Sequence, residues 1–198
     1  MKAKVNRGAG FRGVLDYALQ DSKRPEIVAG TMTARNPRTL AQEFRVSREK
    51  RPDVERPVWH ASLSLPHGDQ LDPVRWQTVV DDFVAEMGFA EHQYTVIRHH
   101  DTEHDHVHIV ASRISLDGSI WYGRYDAQRA IQATQAVEQR HGLTLTPGLQ
   151  SVSAEDQPRN PTQNEVEQSL RTGKAPPRAM LQRLVDEAVD GAPSVFAF

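Results

Sequence analysis

Five of the chain's nine histidines fall within ten residues, His99, His100, His104, His106 and His108, interleaved with Asp101, Glu103 and Asp105. With no cysteine present, any metal bound by this chain must sit on His, Asp or Glu. A histidine-rich tract at a chain end suggests adventitious metal binding, but this one lies mid-chain between two strand patterns. In DHVHIVASRIS, a strand puts His106 and His108 on one face and Val107, Ile109 and Ala111 on the other. The apolar side packs, and two imidazoles are aimed outward together. His99 ends the preceding strand pattern, YTVIRH, and supplies a third nitrogen if the two strands pair, leaving open metal positions for substrate oxygens. Asp101 and Glu103 then read as carboxylates accepting the imidazoles' other N–H groups.

The elements that must position this cluster are legible from periodicity. KAKVN reads as a first strand. Phe11, Val14, Leu15, Ala18 and Leu19 form the stripe of an amphipathic helix, from which Tyr17 is turned by roughly 130° at 100° per residue. Tyr17 is therefore off the buried face. IVAGTM suggests a second strand, Thr39 to Lys50 a charged helix, and VWHASLSL a strand with His60, Ser62 and Ser64 on its polar face. Asp72-Pro73 starts a helix ended by Gly88, and Asp117-Gly118 turns the chain into a strand SIWYGR. A further helix runs from Tyr125 to His141. Strands and helices mix without a βαβ rhythm, which predicts an α+β fold, a central antiparallel sheet with helices packed mainly on one face.

The three prolines in residues 147–161 mark a linker, so the expected organisation is a catalytic domain over 1–146 and a small helical extension over 162–198. Within that extension, a helical piece is expected near Glu165 to Arg171, and another helix after Pro176-Pro177. The apolar end SVFAF is expected to be the cut edge of a longer protein. Charged residues make up 25% of the chain and mean hydropathy is −0.60, as in a soluble globular protein. No apolar run reaches the length of a membrane span, and the start lacks a secretory core, so a cytoplasmic location is expected. The net charge of −2 hides an asymmetry. Residues 1–60 carry thirteen Lys/Arg against seven Asp/Glu, a net of +6, while the remainder carries eleven against nineteen, a net of −8. The basic part can face phosphate, or it is the solvated face of a charged helix.

The pattern H-x-D-x4-H-x-H, present as His99, Asp101, His106 and His108, resembles motif III of the P-type conjugative relaxases, members of the His-hydrophobe-His nucleases. Two more motifs follow the family's order, a tyrosine helix in GFRGVLDYALQD and H-x-x-x-S in WHASLSLPHGD, and the resemblance spans roughly residues 5–145. It implies that Tyr17 attacks a DNA phosphate, that His99, His106 and His108 hold one divalent metal, and that Ser64 contacts DNA beside the nick. The catalytic set is completed by Asp101 and Glu103, and His60, Ser112 and Arg113 join Ser64 as candidate DNA contacts. Ser112 is a departure: many members carry Asn there, with three residues between it and the last histidine.

The implied reaction nicks one strand of a plasmid origin of transfer by metal-dependent transesterification, leaving a 5′-phosphotyrosyl adduct that can run backwards to rejoin the strand. The implied metal is Mg or Mn, whereas all-imidazole coordination also suits Zn or Ni. Expected partners are single-stranded origin DNA, a relaxosome accessory protein and a type IV secretion coupling protein, without membrane insertion. The adduct would travel into the recipient cell. The rival enzyme is a rolling-circle replication initiator, which would use Tyr125, on the helix after the histidines. A non-catalytic, metal-stabilised single-stranded DNA-binding module and a hydrolase attacking with water are further alternatives.

Overall fold

Alternating strands pair into one antiparallel sheet, and each apolar stripe finds one of its faces. The computed structural model describes residues 1–148, 163–173, 175, 180, 181 and 184. The chain divides into two compact units, Met1–Val152 and Ser153–Phe198. In the first, β1 (Lys2–Gly8), β2 (Glu26–Gly30), β3 (Val58–Ser64), β4 (His92–His99) and β5 (His106–Ser115) form a five-stranded sheet in the order β1-β3-β5-β4-β2. Every pairing is antiparallel. The α+β antiparallel architecture is the one expected, but a pair of helices covers each face rather than mainly one, because the sheet has an apolar stripe on both sides.

Strand parity sorts the core into two layers. Trp59, Ala61 and Leu63 of β3 and Val107, Ile109 and Ala111 of β5 face α3 (Pro73–Met87) and α4 (Asp126–His141), burying Trp76, Val80, Phe83 and Val137. On the other face, Val58, Val110 and Ile97 meet α1 (Phe11–Ala18) and α2 (Pro37–Arg48), where Phe11 and Phe44 stack with ring centroids 4.2 Å apart. Caps fix where these helices begin. Asn36 accepts from the Thr39 N–H at 3.0 Å and Asp72 from the Arg75 N–H at 2.8 Å, each followed by proline in the first turn. Gly88 ends α3 at φ 87°, in the left-handed region.

The expected strand over SIWYGR reduces to a single bridge between Ile114 and Ile120. Its alternation is overridden by Trp121, whose indole turns into the core and donates to the Met87 carbonyl at 2.7 Å. Gly123, at φ 57°, then passes so close that a Cβ would meet the Trp121 ring at 2.0 Å. In the second unit, α5 (Gln163–Thr172) covers the helical piece expected near Glu165 to Arg171. The linker reading from residue 149 onward and most of the helix expected after Pro176 lie outside the described residues. No helix among the described residues is long and apolar enough to cross a membrane.

Candidate metal and nucleophile site

His99 is the last residue of β4 and pairs with His106, the first of β5, so the register of two strands brings the histidines together. Asp105 anchors the turn between them. Its carboxylate accepts from the Leu71 amide, the Trp76 indole and the Arg98 guanidinium at 2.8–3.0 Å, which removes it from any metal role. One ligand atom each from His99, His106 and His108 lies within 4.8 Å of the others.

Hydrogen bonds decide which nitrogen each ring presents. His99 donates from Nε2 to the Ala18 carbonyl at 2.7 Å, leaving a buried Nδ1 with no partner. His106 donates from Nδ1 to the His104 carbonyl at 2.9 Å, which leaves Nε2. His108 uses Nδ1 on His60 Nε2 at 2.9 Å, which again leaves Nε2. Each ring therefore keeps one nitrogen free of these bonds, and the three rings can offer one lone pair each to a single ion. A ring nitrogen on a side chain only 2% exposed is costly to leave unpaired, and a divalent cation is the partner that fits the set. Burial pushes the pKa of His108 down to about 3, helped by neighbouring His99, His60 and His106. Burial likewise lowers His99 and His60 below the ordinary imidazole value. Neutral rings are ligand-ready rings.

Tyr17 stands off the buried stripe of α1, 49% exposed, with its ring edge-on to His108 at 5.9 Å. The ammonium of Lys23 lies 3.5 Å from its ring centroid. An open cleft of about 350 Å³ is lined by these two residues, Ser62, Ser64, Asp101, Thr102, His104 and the three histidines. Lys23 was not singled out by the sequence. It belongs to a short 3₁₀ turn, Asp21–Lys23, held by the His100 amide donating to the Lys23 carbonyl at 3.0 Å.

The structure places the remaining candidates unequally. Ser64 and Asp101 line the cleft, but Asp101 Oδ1 lies 3.7 Å from His106 Nε2, the nitrogen left free by the bond to the His104 carbonyl. The imidazoles' other N–H groups go to two backbone carbonyls and His60, so the reading of Asp101 and Glu103 as their acceptors is corrected. Glu103 is 87% exposed at its side chain, pairs with His67 and does not line the cleft. His60 stands behind His108 as its hydrogen-bond partner. Ser112 is fully buried and bonded to Ser47 Oγ at 2.9 Å, and Arg113 donates to the Trp121 and Arg56 carbonyls. Neither reaches the site. Tyr125 precedes α4, which packs on the opposite face, and it does not line the cleft.

An antiparallel sheet presenting His-Val-His and a third histidine beside a cleft tyrosine is the architecture of a His-hydrophobe-His nuclease. Residues 17–143 match the family model for relaxases, MobA/VirD2-like, nuclease domain, and the chain belongs to that family. It is 33% identical over 87 residues to the Protein TraI of Escherichia coli, a match covering 43% of this chain and 12% of that relative. Its fold is similar to the crystal structure of the Mn-bound MobM relaxase domain (MOBV; Mob_Pre) with plasmid pMV158 oriT DNA. That likeness has a TM-score of 0.51 at 12% identity and covers 85% of this chain and 100% of that one.

Proposed function

We propose that residues 1–146 form the catalytic domain of a P-type conjugative relaxase that nicks one strand of plasmid origin-of-transfer DNA through Tyr17. The observation that carries this reading is the shared cleft, in which an exposed tyrosine sits edge-on to one of three histidines that can offer one lone pair each to a single ion. In the reaction, Tyr17 Oη bonds to the scissile phosphorus and the bond to the 3′ oxygen breaks, giving a 5′-phosphotyrosyl end and a free 3′-hydroxyl. The proton lost by tyrosine is balanced by the one the 3′ oxygen gains, and Asp101 is the cleft carboxylate available to carry it. One phosphodiester replaces another, so the step reverses without an external energy source. A divalent ion bound by His99 Nδ1, His106 Nε2 and His108 Nε2 supplies positive charge to the phosphate oxygens.

All-nitrogen ligation favours Mn over Mg, and Mn is the ion in the MobM structure. Around this activity we place a relaxosome accessory protein, a secretion coupling protein and a cytoplasmic location before transfer. Incubation with a single-stranded origin oligonucleotide and Mn²⁺, followed by a denaturing gel, tests the proposal. A protein band shifted by covalent DNA is expected, and a cleaved strand without any adduct would show hydrolysis by water instead. His99→Ala should abolish that band yet leave salt-sensitive binding of the oligonucleotide nearly intact.

A further inference from the structure

Among the described residues, the face of the sheet that carries the histidines is covered on one side only. Over β4 and β5, α1 and α2 bury Ile97 and Val110 completely. Beyond Val58, which those helices also bury, the same face over β1 and β3 is polar, and parity places Lys2, Lys4 and Asn6 of the edge strand beside Ser64, Ser62 and His60. All three β1 side chains are exposed, while the alternate residues Ala3 and Val5 pack against the core shared with α3 and α4. Neither lysine makes an ion pair or a side-chain hydrogen bond among the described residues. The rows are continuous across the sheet. Lys2 pairs with Ser64, which pairs with His106, and Lys4 pairs with Ser62, which pairs with His108. Each lysine thus stands two strand spacings, about 10 Å, from a metal-site histidine, and the two are about 7 Å apart along β1. That separation matches neighbouring phosphates of an extended single strand.

We infer that this uncovered β1–β3 strip is the floor of the track carrying the strand to be cut, with Lys2 and Lys4 contacting successive phosphates adjacent to the scissile one. The inference rests on the proposed nicking of single-stranded DNA and adds where its backbone lies. Charge complementarity selects the occupant. Two unpaired ammonium groups and a row of hydroxyls and amides suit a phosphodiester chain, whereas an apolar or acidic protein surface has less to gain from the hydroxyl row.

The test measures binding of a labelled origin oligonucleotide over a range of salt, for the unaltered chain and for the double variant Lys2→Gln/Lys4→Gln. Removing one ammonium group from a phosphate should make the slope of log K against log salt shallower by about 0.7 on a single strand, so the pair should lower it by about 1.4. Lys50→Gln, at the far end of the strands, should leave the slope close to wild type. Trimming the oligonucleotide on one side of the nick should erase the difference between wild type and double variant. An unchanged slope overturns the inference, as does a double variant that instead self-associates. The latter would assign these lysines to guarding an exposed sheet edge. Should the unaltered chain neither bind nor nick the oligonucleotide, the proposed function itself falls, a result separable from failure of the lysines alone.

Discussion

His106 and His108 open β5, Ser112 lies near its end, and all three project from the same face of the sheet. The first two border an open cleft. Ser112 is sealed, because α2 crosses that end of the strand and brings Ser47 Oγ within 2.9 Å of its hydroxyl. Arg113, one residue on, is turned to the opposite face and spent on the carbonyls of Trp121 and Arg56. Parity fixes the direction of a side chain, but the element lying above it decides whether that direction leads to substrate or to protein. Substitutions at the open end should change chemistry and spare stability. Those at the sealed end should do the reverse.

The largest effect is expected at Tyr17. Tyr17→Phe removes the hydroxyl and keeps the ring, so its edge contact with His108 and its stacking under Lys23 survive. The covalent adduct should vanish from a denaturing gel while thermal unfolding stays unchanged. Tyr125→Phe, on a residue 77% exposed beyond the cleft, should leave the adduct in place. Loss of the adduct in the second variant alone would reverse the assignment and make the protein an initiator of replication.

A smaller effect is expected from His60, which touches His108 and does not belong to the set of three. In the proposed site a metal on His108 Nε2 would leave Nδ1–H to donate to His60 Nε2, 2.9 Å away, and so hold the ring orientation. His60→Ala should therefore weaken metal binding by roughly 10–100-fold, as for other outer partners of metal-bound imidazoles. Calorimetric titration with Mn²⁺ measures this. Unchanged affinity would reduce His60 to a bystander and restore it as a candidate DNA contact.

These residues also show what the sequence could and could not disclose. Tyr17 was legible because a helix has one period, and the stripe from Phe11 to Leu19 left only one side for it. His106 and His108 were legible for the same reason on a strand, and His99 needed only the pairing of β4 with β5. His60 was on the correct face, but its contact with His108 is diagonal, since Ser62 is the residue opposite His108. That diagonal depends on register, which alternation does not encode. Lys23 depends on a backbone bond to His100 across 77 positions of chain, and no local pattern carries it. Glu103 failed because a turn has no parity: it points into solvent beside His67. Ser112 and Arg113 failed because motif spacing says nothing about the helix and loop that cover them.

A lesser effect again comes from pH on the metal-free protein. The folded-state pKa of His108 is about 3 and that of His99 is also lowered, both chiefly by burial, whereas the unfolded chain takes up protons near the ordinary value of 6.5. Below about pH 6.5 the unfolded state binds more protons than the folded one, so stability falls as pH falls, by at most ~1.4 kcal/mol per pH unit for each such ring. Above 6.5 these rings contribute no slope. Thermal unfolding between pH 7.5 and 5 should show the decline, and His108→Ala should flatten it. A midpoint insensitive to pH over that range would mean that the rings are not buried in the metal-free state.

The smallest effect is expected at the sealed end. Ser112 Oγ meets Ser47 Oγ, accepts from the Ile114 amide at 3.1 Å and donates to the Ile114 carbonyl at 2.9 Å. Ser112→Ala leaves the Ile114 amide without that acceptor in a site closed to water. Ser47 retains the Phe44 carbonyl at 3.2 Å, so only part of the network is orphaned. A loss of about 1–2 kcal/mol follows, a fall of several degrees in Tm for a unit of this size. Nicking rate and the salt dependence of DNA binding should match wild type once the comparison is made well below the lowered Tm. If instead Ser112→Ala weakened DNA binding with no change in Tm, α2 would have to lift from the sheet when DNA is bound. The two ends of β5 would then form one continuous binding surface.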